Sequence, residues 1–252
     1  MKKEGASFCI QLADKKILIE PRFGQIQDYC KKYIVRDVDN VDLMVQVNPE
    51  DIQYERICSK AESVKRGNFA LDYPDSYLES LAIYRKIAEW MPLCGTILFH
   101  GSVVAVDGKA YLFTAPSGTG KSTHSRLWRE YFGERAVMVN DDKPLLKITR
   151  DAVYACGTPW DGKHHLNTNI MVPLEAIYIL KQAKENKREK IVPQQAYPML
   201  FQQCYRPKSV EAMTKTLIMM DRLMEKVSVY RLECNVSKEA VMVAYEGINK
   251  RI

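Results

Sequence analysis

The sequence predicts an α/β protein, with a phosphate-loop domain preceded by a smaller α/β lobe. Three observations predict it. A β-prone run, Ala110-Tyr111-Leu112-Phe113-Thr114, leads into a glycine-punctuated loop and then into an amphipathic helical stretch from Lys121 to Phe132. Further β-prone and helical patterns follow one another along the chain. The chain has 252 residues, 46% hydrophobic and 27% charged, enough for a packed domain with a small companion. The boundary is set near residue 92, giving a lobe over 1–92 and a phosphate-loop domain over 93–252.

In the lobe, 8–12 and 16–20 read as a hairpin around Ala13-Asp14-Lys15. A short amphipathic helix is expected over 23–33, a strand over 41–47, and a helix opened by Pro49. Residues 65–75 read as loop. Ser76 and Glu79, three apart before an apolar run, read as a capping box for a helix to about Met91. No motif in the lobe points to chemistry.

The loop Ala115-Pro116-Ser117-Gly118-Thr119-Gly120-Lys121-Ser122-Thr123 fits G-x-x-x-x-G-K-[ST], with Ala115 in place of the first Gly. Gly118 and Gly120 allow the backbone to turn several N–H groups toward one anion. The following helix adds its unpaired N–H groups and positive dipole end. Lys121 is expected on the β and γ phosphates, and Ser122 on Mg²⁺. Residues Ser117 to Thr123 are therefore the candidate nucleotide site.

The run 96–106 reads as one strand, joined through Asp107-Gly108 to the strand before the loop. A two-residue turn places His100 opposite residue 115, and a three-residue turn places it opposite residue 116. Either register sets His100 beside the phosphate loop. After the loop helix, a buried strand over 136–139 ends in Asn140-Asp141-Asp142. One carboxylate there can hold Mg²⁺ and the other can take a hydroxyl proton, provided their environments push the two pKa values apart.

Residues 157–169 form a polar, Gly-punctuated segment between two strand-like runs. It holds Lys163, His164 and His165, candidate substrate residues in a donor-rich loop that could orient a second substrate or meet the γ-phosphate. Adjacent histidines on an extended chain point to opposite sides and make a poor chelate. The run 181–190 reads as a solvated, charge-dense connector. Helices are expected over 193–205 and 213–224, the second with Met213, Leu217, Met220, Leu223 and Met224 turned inward. A strand over 227–232 and a final helix capped by Ser237 complete the chain.

The net charge of +6 is modest and lacks the clustered basic stripe of a nucleic-acid binder. No apolar run approaches transmembrane length, and residues 1–5 are not followed by an apolar leader core. The seven Cys are scattered with no C-x-x-C pair, so reduced thiols and a cytoplasmic setting are expected.

His100-Gly101, then Ser117 to Ser122, then a strand ending in Asp141-Asp142 together resemble the catalytic domain of HPr kinase/phosphorylase. The wider group includes ATP-dependent PEP carboxykinases. The match covers roughly residues 95–180, and the C-terminal portion more loosely. The resemblance implies a phosphate-loop domain with a mixed β-sheet, together with ATP and Mg²⁺. It implies Lys121 and Ser122 on phosphate and metal, and His100 near the transferred phosphate. Asp141 and Asp142 divide the roles of base and metal partner. The Arg- and Gly-containing signature of HPr kinases is not found, and residues 157–169 stand in its place.

The expected function is an ATP- and Mg²⁺-dependent kinase acting on a hydroxyl of a small molecule or a protein Ser. The alternatives are a non-catalytic nucleotide-binding sensor or assembly protein, and a PEP-carboxykinase-like enzyme. Homo-oligomerisation is left open.

Overall fold

A computed structural model describes residues 5–249 apart from 66, 68 and 70. The expectations for residues 1–4, and for those three positions of the 65–75 loop, lie outside the described residues. The chain divides into two compact units, Met1–Trp90 and Met91–Ile252. Among the described residues no helix is long and apolar enough to cross a membrane.

The first unit carries a four-stranded sheet in the order β3-β1-β2-β4, with β1 Phe8–Leu12, β2 Lys15–Glu20, β3 Ile34–Val35 and β4 Leu43–Gln46. The β1–β2 turn is two residues, not three. Ala13 and Asp14 both take left-handed φ values, 46° and 68°, and Lys15 already pairs with Leu12. The helix expected over 23–33 is divided into α1 Gln25–Tyr29 and a 3₁₀ turn at Lys31–Tyr33. Two long helices follow, α2 Pro49–Lys65 and α3 Asp75–Trp90. Glu79 does not close a capping box with Ser76. It is fully buried and accepts the N–H groups of Arg22 and Phe23 at 2.6 and 3.1 Å. Its carboxylate thus satisfies orphan donors of another segment, a tertiary use that local spacing does not show.

The second unit is built on nine strands: β5 Thr96–Leu98, β6 Ser102–Val106, β7 Lys109–Thr114, β8 Ala136–Asn140, β9 Leu145–Ile148, β10 Val153–Cys156, β11 Met171–Gln182, β12 Lys187–Lys190 and β13 Ser228–Cys234. Seven lie in the order β5-β9-β10-β11-β7-β6-β8, with β13 pairing β11 and β12. The pairs β7–β11 and β11–β13 are parallel and the others antiparallel, so the sheet is mixed. Its helices are α4 Lys121–Phe132, α5 Pro193–Phe201, α6 Val210–Lys226 and α7 Lys238–Asn249.

Alternation along the central strands separates two apolar clusters. Val103, Leu112, Ile177 and Ile179 face one side, where they join Leu200 of α5 and Met220 and Leu223 of α6. Val104, Tyr111, Phe113 and Tyr178 face the other side, with Trp128 of α4 and Val241 of α7. Trp128 is completely buried, with ring centroids 4.7 Å from Tyr111 and 5.2 Å from Phe113. Truncating such a residue to Ala costs about 3–5 kcal/mol.

Several local expectations change here. The run 96–106 is two strands belonging to different partners, β5 to β9 and β6 to β7 and β8. The break falls at His100-Gly101. An added Cβ on Gly101 would lie 3.1 Å from the Phe113 carbonyl, so a side chain there would crowd the crossing. The charged run 181–190 is not all connector. Its first part ends β11 and its last part is β12, an edge strand whose Lys, Arg and Glu side chains tolerate water and discourage further pairing. On α6 the inward face holds Met219 with Met220, Leu223 and Met224, whereas Leu217 is exposed. The Ser237 hydroxyl donates to Asn235 Oδ1 at 2.6 Å and accepts from Asn186 Nδ2 at 3.3 Å.

Candidate functional site

The strand–loop–helix unit runs from β7 through residues 115–120 into α4. Gly118 and Gly120 have φ of 82° and 116°, which L side chains rarely adopt. A Cβ at either would meet nothing within 4 Å, so the demand for glycine is conformational rather than steric. Residues 116–118 are exposed, while Lys121 is buried against the loop, its Nζ donating to the Ala115 carbonyl at 2.9 Å. Burial pulls the Lys121 pKa below its ordinary value, against the upward pull of Asp142. The loop is fastened from outside by Gln182 at the end of β11, whose Nε2 donates to the Thr119 carbonyl at 3.1 Å.

The β6–β7 hairpin turns through Asp107 and Gly108, both left-handed, and sets Val106 against Lys109 and Ser102 against Phe113. Continued two residue pairs further, the register of the two-residue turn brings His100 level with Ala115. Thr114 Oγ1 donates to the His100 carbonyl at 3.1 Å. His100 is held from a second direction as well. Its N–H donates to the Gln203 carbonyl at 2.8 Å, and its Nδ1 lies 2.9 Å from Gln203 Oε1. Its Nε2 lies 3.2 Å from Asp142 Oδ1.

Asp141 and Asp142 follow β8 and occupy opposite environments. Burial raises the Asp141 pKa above its ordinary value, and hydrogen bonds from Ser122 and Ser102 only partly offset that. The Ser102 hydroxyl also donates to Ser125 on α4 at 2.9 Å. Asp141 Oδ2 is buried and has no hydrogen-bond partner among the described residues. Burial also pushes Asp142 upward. There the His100 hydrogen bond and the Lys143 ammonium, 3.5 Å away, outweigh it and hold the carboxyl below its ordinary value.

Asn140 shapes this turn. It is fully buried, and its Oδ1 accepts the N–H groups of Asp142 and Lys143 at 2.9 and 2.6 Å. Its Nδ2 donates to the Thr158 and Trp160 carbonyls at 3.0 and 3.3 Å. One amide therefore fixes both the carboxylate turn and the start of the 157–169 segment. That segment folds around Asp161, whose carboxylate meets His165 Nδ1 at 3.1 Å and Asn167 Nδ2 at 2.5 Å. Gly162 lies directly against the acidic pair, since a Cβ there would sit 3.0 Å from Asp141 Oδ2.

These groups line one cleft of about 700 Å³. Its walls are His100, the loop and α4 start, Asp141, Asp142, and the turn from Gly162 to Leu166. Lys163 and His164 line it, while His165 is turned to Asp161 and its side chain is 75% exposed. The cleft also contains Arg126 and Arg129, which sequence reasoning passed over. Their spacing, four and seven residues after Ser122, puts them on the Ser122 face of α4 and was readable. Gln182, Gln203 and Ser102 carried no local signal, because their partners are distant in the chain.

Among the described residues no cluster of three or more His, Cys, Asp or Glu is arranged to hold a metal. A Mg²⁺ ion bound with a nucleotide needs no such cluster, since phosphate oxygens and water complete its shell. The unpartnered Asp141 Oδ2 beside the Ser122 hydroxyl fits that requirement.

No protein-family profile matches this sequence, and no curated protein matches it. Among solved structures, the chain is similar to the HPr(Ser) kinase/phosphatase from Coxiella burnetii at 10% identity and a TM-score of 0.34. The similarity covers 61% of this chain and 95% of that one. A likeness of that extent carries no inference about activity.

Proposed function

We propose that the chain is an ATP- and Mg²⁺-dependent phosphotransferase that moves the γ-phosphoryl group to a hydroxyl. The observation that carries this reading is the pair of neighbouring carboxylates in unlike settings beside a glycine-turned loop with a buried Lys. Plain nucleotide binding does not call for such a pair. Asp141, next to Ser122 and with one oxygen unpartnered, is the metal partner. Asp142, kept ionised and oriented by His100, is the base. The cation would neutralise charge on the β and γ phosphate oxygens.

The acceptor oxygen forms a bond to Pγ as the bond from Pγ to the bridging oxygen of the β-phosphate breaks. The hydroxyl proton passes to Asp142, and ADP leaves. Lys121 and the N–H groups of the loop hold the phosphates, and His100 keeps Asp142 aimed at the acceptor. The acceptor, a small molecule or a protein Ser, approaches beside Lys163 and His164. In support of a cytoplasmic setting, none of the seven cysteines is in a disulfide, and burial pushes the Cys30 and Cys204 thiols up to about 12.

Calorimetry and labelled-ATP assays test the reading together. Wild-type protein should bind MgATP, and Lys121→Ala should weaken binding by at least about tenfold. Asp142→Asn should keep binding but lose phosphoryl transfer by about 10²–10⁴-fold. A wild-type chain that fails to bind MgATP would falsify the proposal.

A further inference from the structure

Lys121, the loop N–H groups and the start of α4 already serve the phosphates of a nucleotide. The same cleft holds further cations, Arg126, Arg129 and Lys163, together with His164. Two observations place them. Ser122, which hydrogen-bonds Asp141, shares one face of α4 with Arg126 and Arg129. The turn carrying Lys163 and His164 crosses between two fixed points near that face. At one end Gly162 lies against Asp141 Oδ2. At the other, Leu166 packs on the apolar cluster that contains Leu127 and Trp128 of α4.

Lys163 and His164 therefore stand between the acidic pair and the cationic side of α4. The turn is a built feature, because Asp161, with its side chain 1% exposed, clamps it from beneath. Arg126 is partly neutralised by Glu130 at 2.7 Å. Arg129 Nε is buried without a hydrogen-bond partner among the described residues. A guanidinium left with an unpartnered donor suits an oxygen of a carboxylate or phosphate.

We propose that Arg129 and Lys163, assisted by Arg126 and His164, form an oxyanion subsite for the acceptor. The acceptor is then a hydroxyl compound that also carries a carboxylate or phosphate group. The subsite rests on the phosphotransferase reading and sharpens it. The acceptor's oxyanion is held on the cationic side while its hydroxyl faces Asp142. That arrangement keeps two anions, acceptor and carboxylate pair, from meeting head on.

The test is calorimetric titration of full-length protein loaded with Mg²⁺ and a non-hydrolysable ATP analogue. Three probes share one three-carbon skeleton: glycerate, glycerol 3-phosphate and glycerol. At least one anionic probe should bind about tenfold or more tighter than glycerol, and which one does identifies the oxyanion as carboxylate or phosphate. Arg129→Gln and Lys163→Gln should each remove most of that preference while shifting MgATP affinity less than about threefold. Lys163 is exposed, so its variant tests the subsite even if Arg129→Gln folds poorly. Anionic probes no better than glycerol overturn the subsite. So does an equal loss of probe and MgATP affinity in the variants, which would assign these cations to the nucleotide. Failure of wild-type protein to bind MgATP at all is a separate result, and it removes the underlying reading.

Discussion

His124 sits one turn into α4, almost fully buried, with Nε2 accepting the Trp128 indole N–H at 3.1 Å. Burial lowers its pKa from 6.5 to about 4. Between those values the unfolded chain takes up a proton that the folded chain refuses. Stability is therefore retained above about pH 6.5 and falls as the pH drops toward 4, by on the order of 3 kcal/mol. His124→Gln keeps an acceptor for Trp128 but cannot titrate. Urea unfolding of both proteins at pH 7 and pH 4.5 should show a smaller acid loss in the variant, and equal losses would refute the assignment. Asn140 shows what remains hidden at this scale. In the sequence it is a strand-end residue before two aspartates. Its saturation depends on carbonyls 18 and 20 residues away, and no local pattern reports them.

At the scale of elements, the Gly162 turn is the sharpest lever on the site. Gly162→Ala would drive a methyl group to within 3.0 Å of Asp141 Oδ2. The expected result is a loss of about tenfold in MgATP affinity, with ATP binding in EDTA little changed and stability lower by about 1–3 kcal/mol. Equal weakening with and without Mg²⁺ would argue against a metal role for Asp141. Elements with strong local chemistry were legible. Asp107-Gly108 marked its hairpin because both residues must turn left-handed, and the loop glycines marked the strand-to-helix turn. The division of 96–106 into β5 and β6 was not legible, since β-prone residues stand on both sides of His100-Gly101 and the strands differ only in their partners. β9 went unread, and β12 looked like a solvated linker because an edge strand is selected for charge.

For the whole molecule, the mixed sheet and the two compact units agree in kind with an α/β chain, and the proposed nucleotide should act on the second unit. MgATP at about a hundred times its Kd should add about 2.7 kcal/mol to the unit that binds it. For a unit of this size that raises its thermal midpoint by roughly 5–10 °C. Hydrogen exchange should slow most at residues 115–123 and 140–142, and an unchanged midpoint with unchanged exchange there would oppose the site assignment. Motif spacing exposed the loop, the hairpin and the acidic pair, because each is local. What joins them into a cleft comes from remote segments, and Gln203 is the clearest case. Together with the Phe99–Cys204 β-bridge and the Tyr205 N–H bond to Leu98, it fastens the chain at His100 and the two residues before it from more than a hundred residues downstream. A nascent chain halted before Gln203 has already made its loop and both aspartates, yet lacks the carbonyl and amide that hold His100 from its second direction. Synthesis itself therefore delays the full set of His100 contacts until Gln203 has emerged.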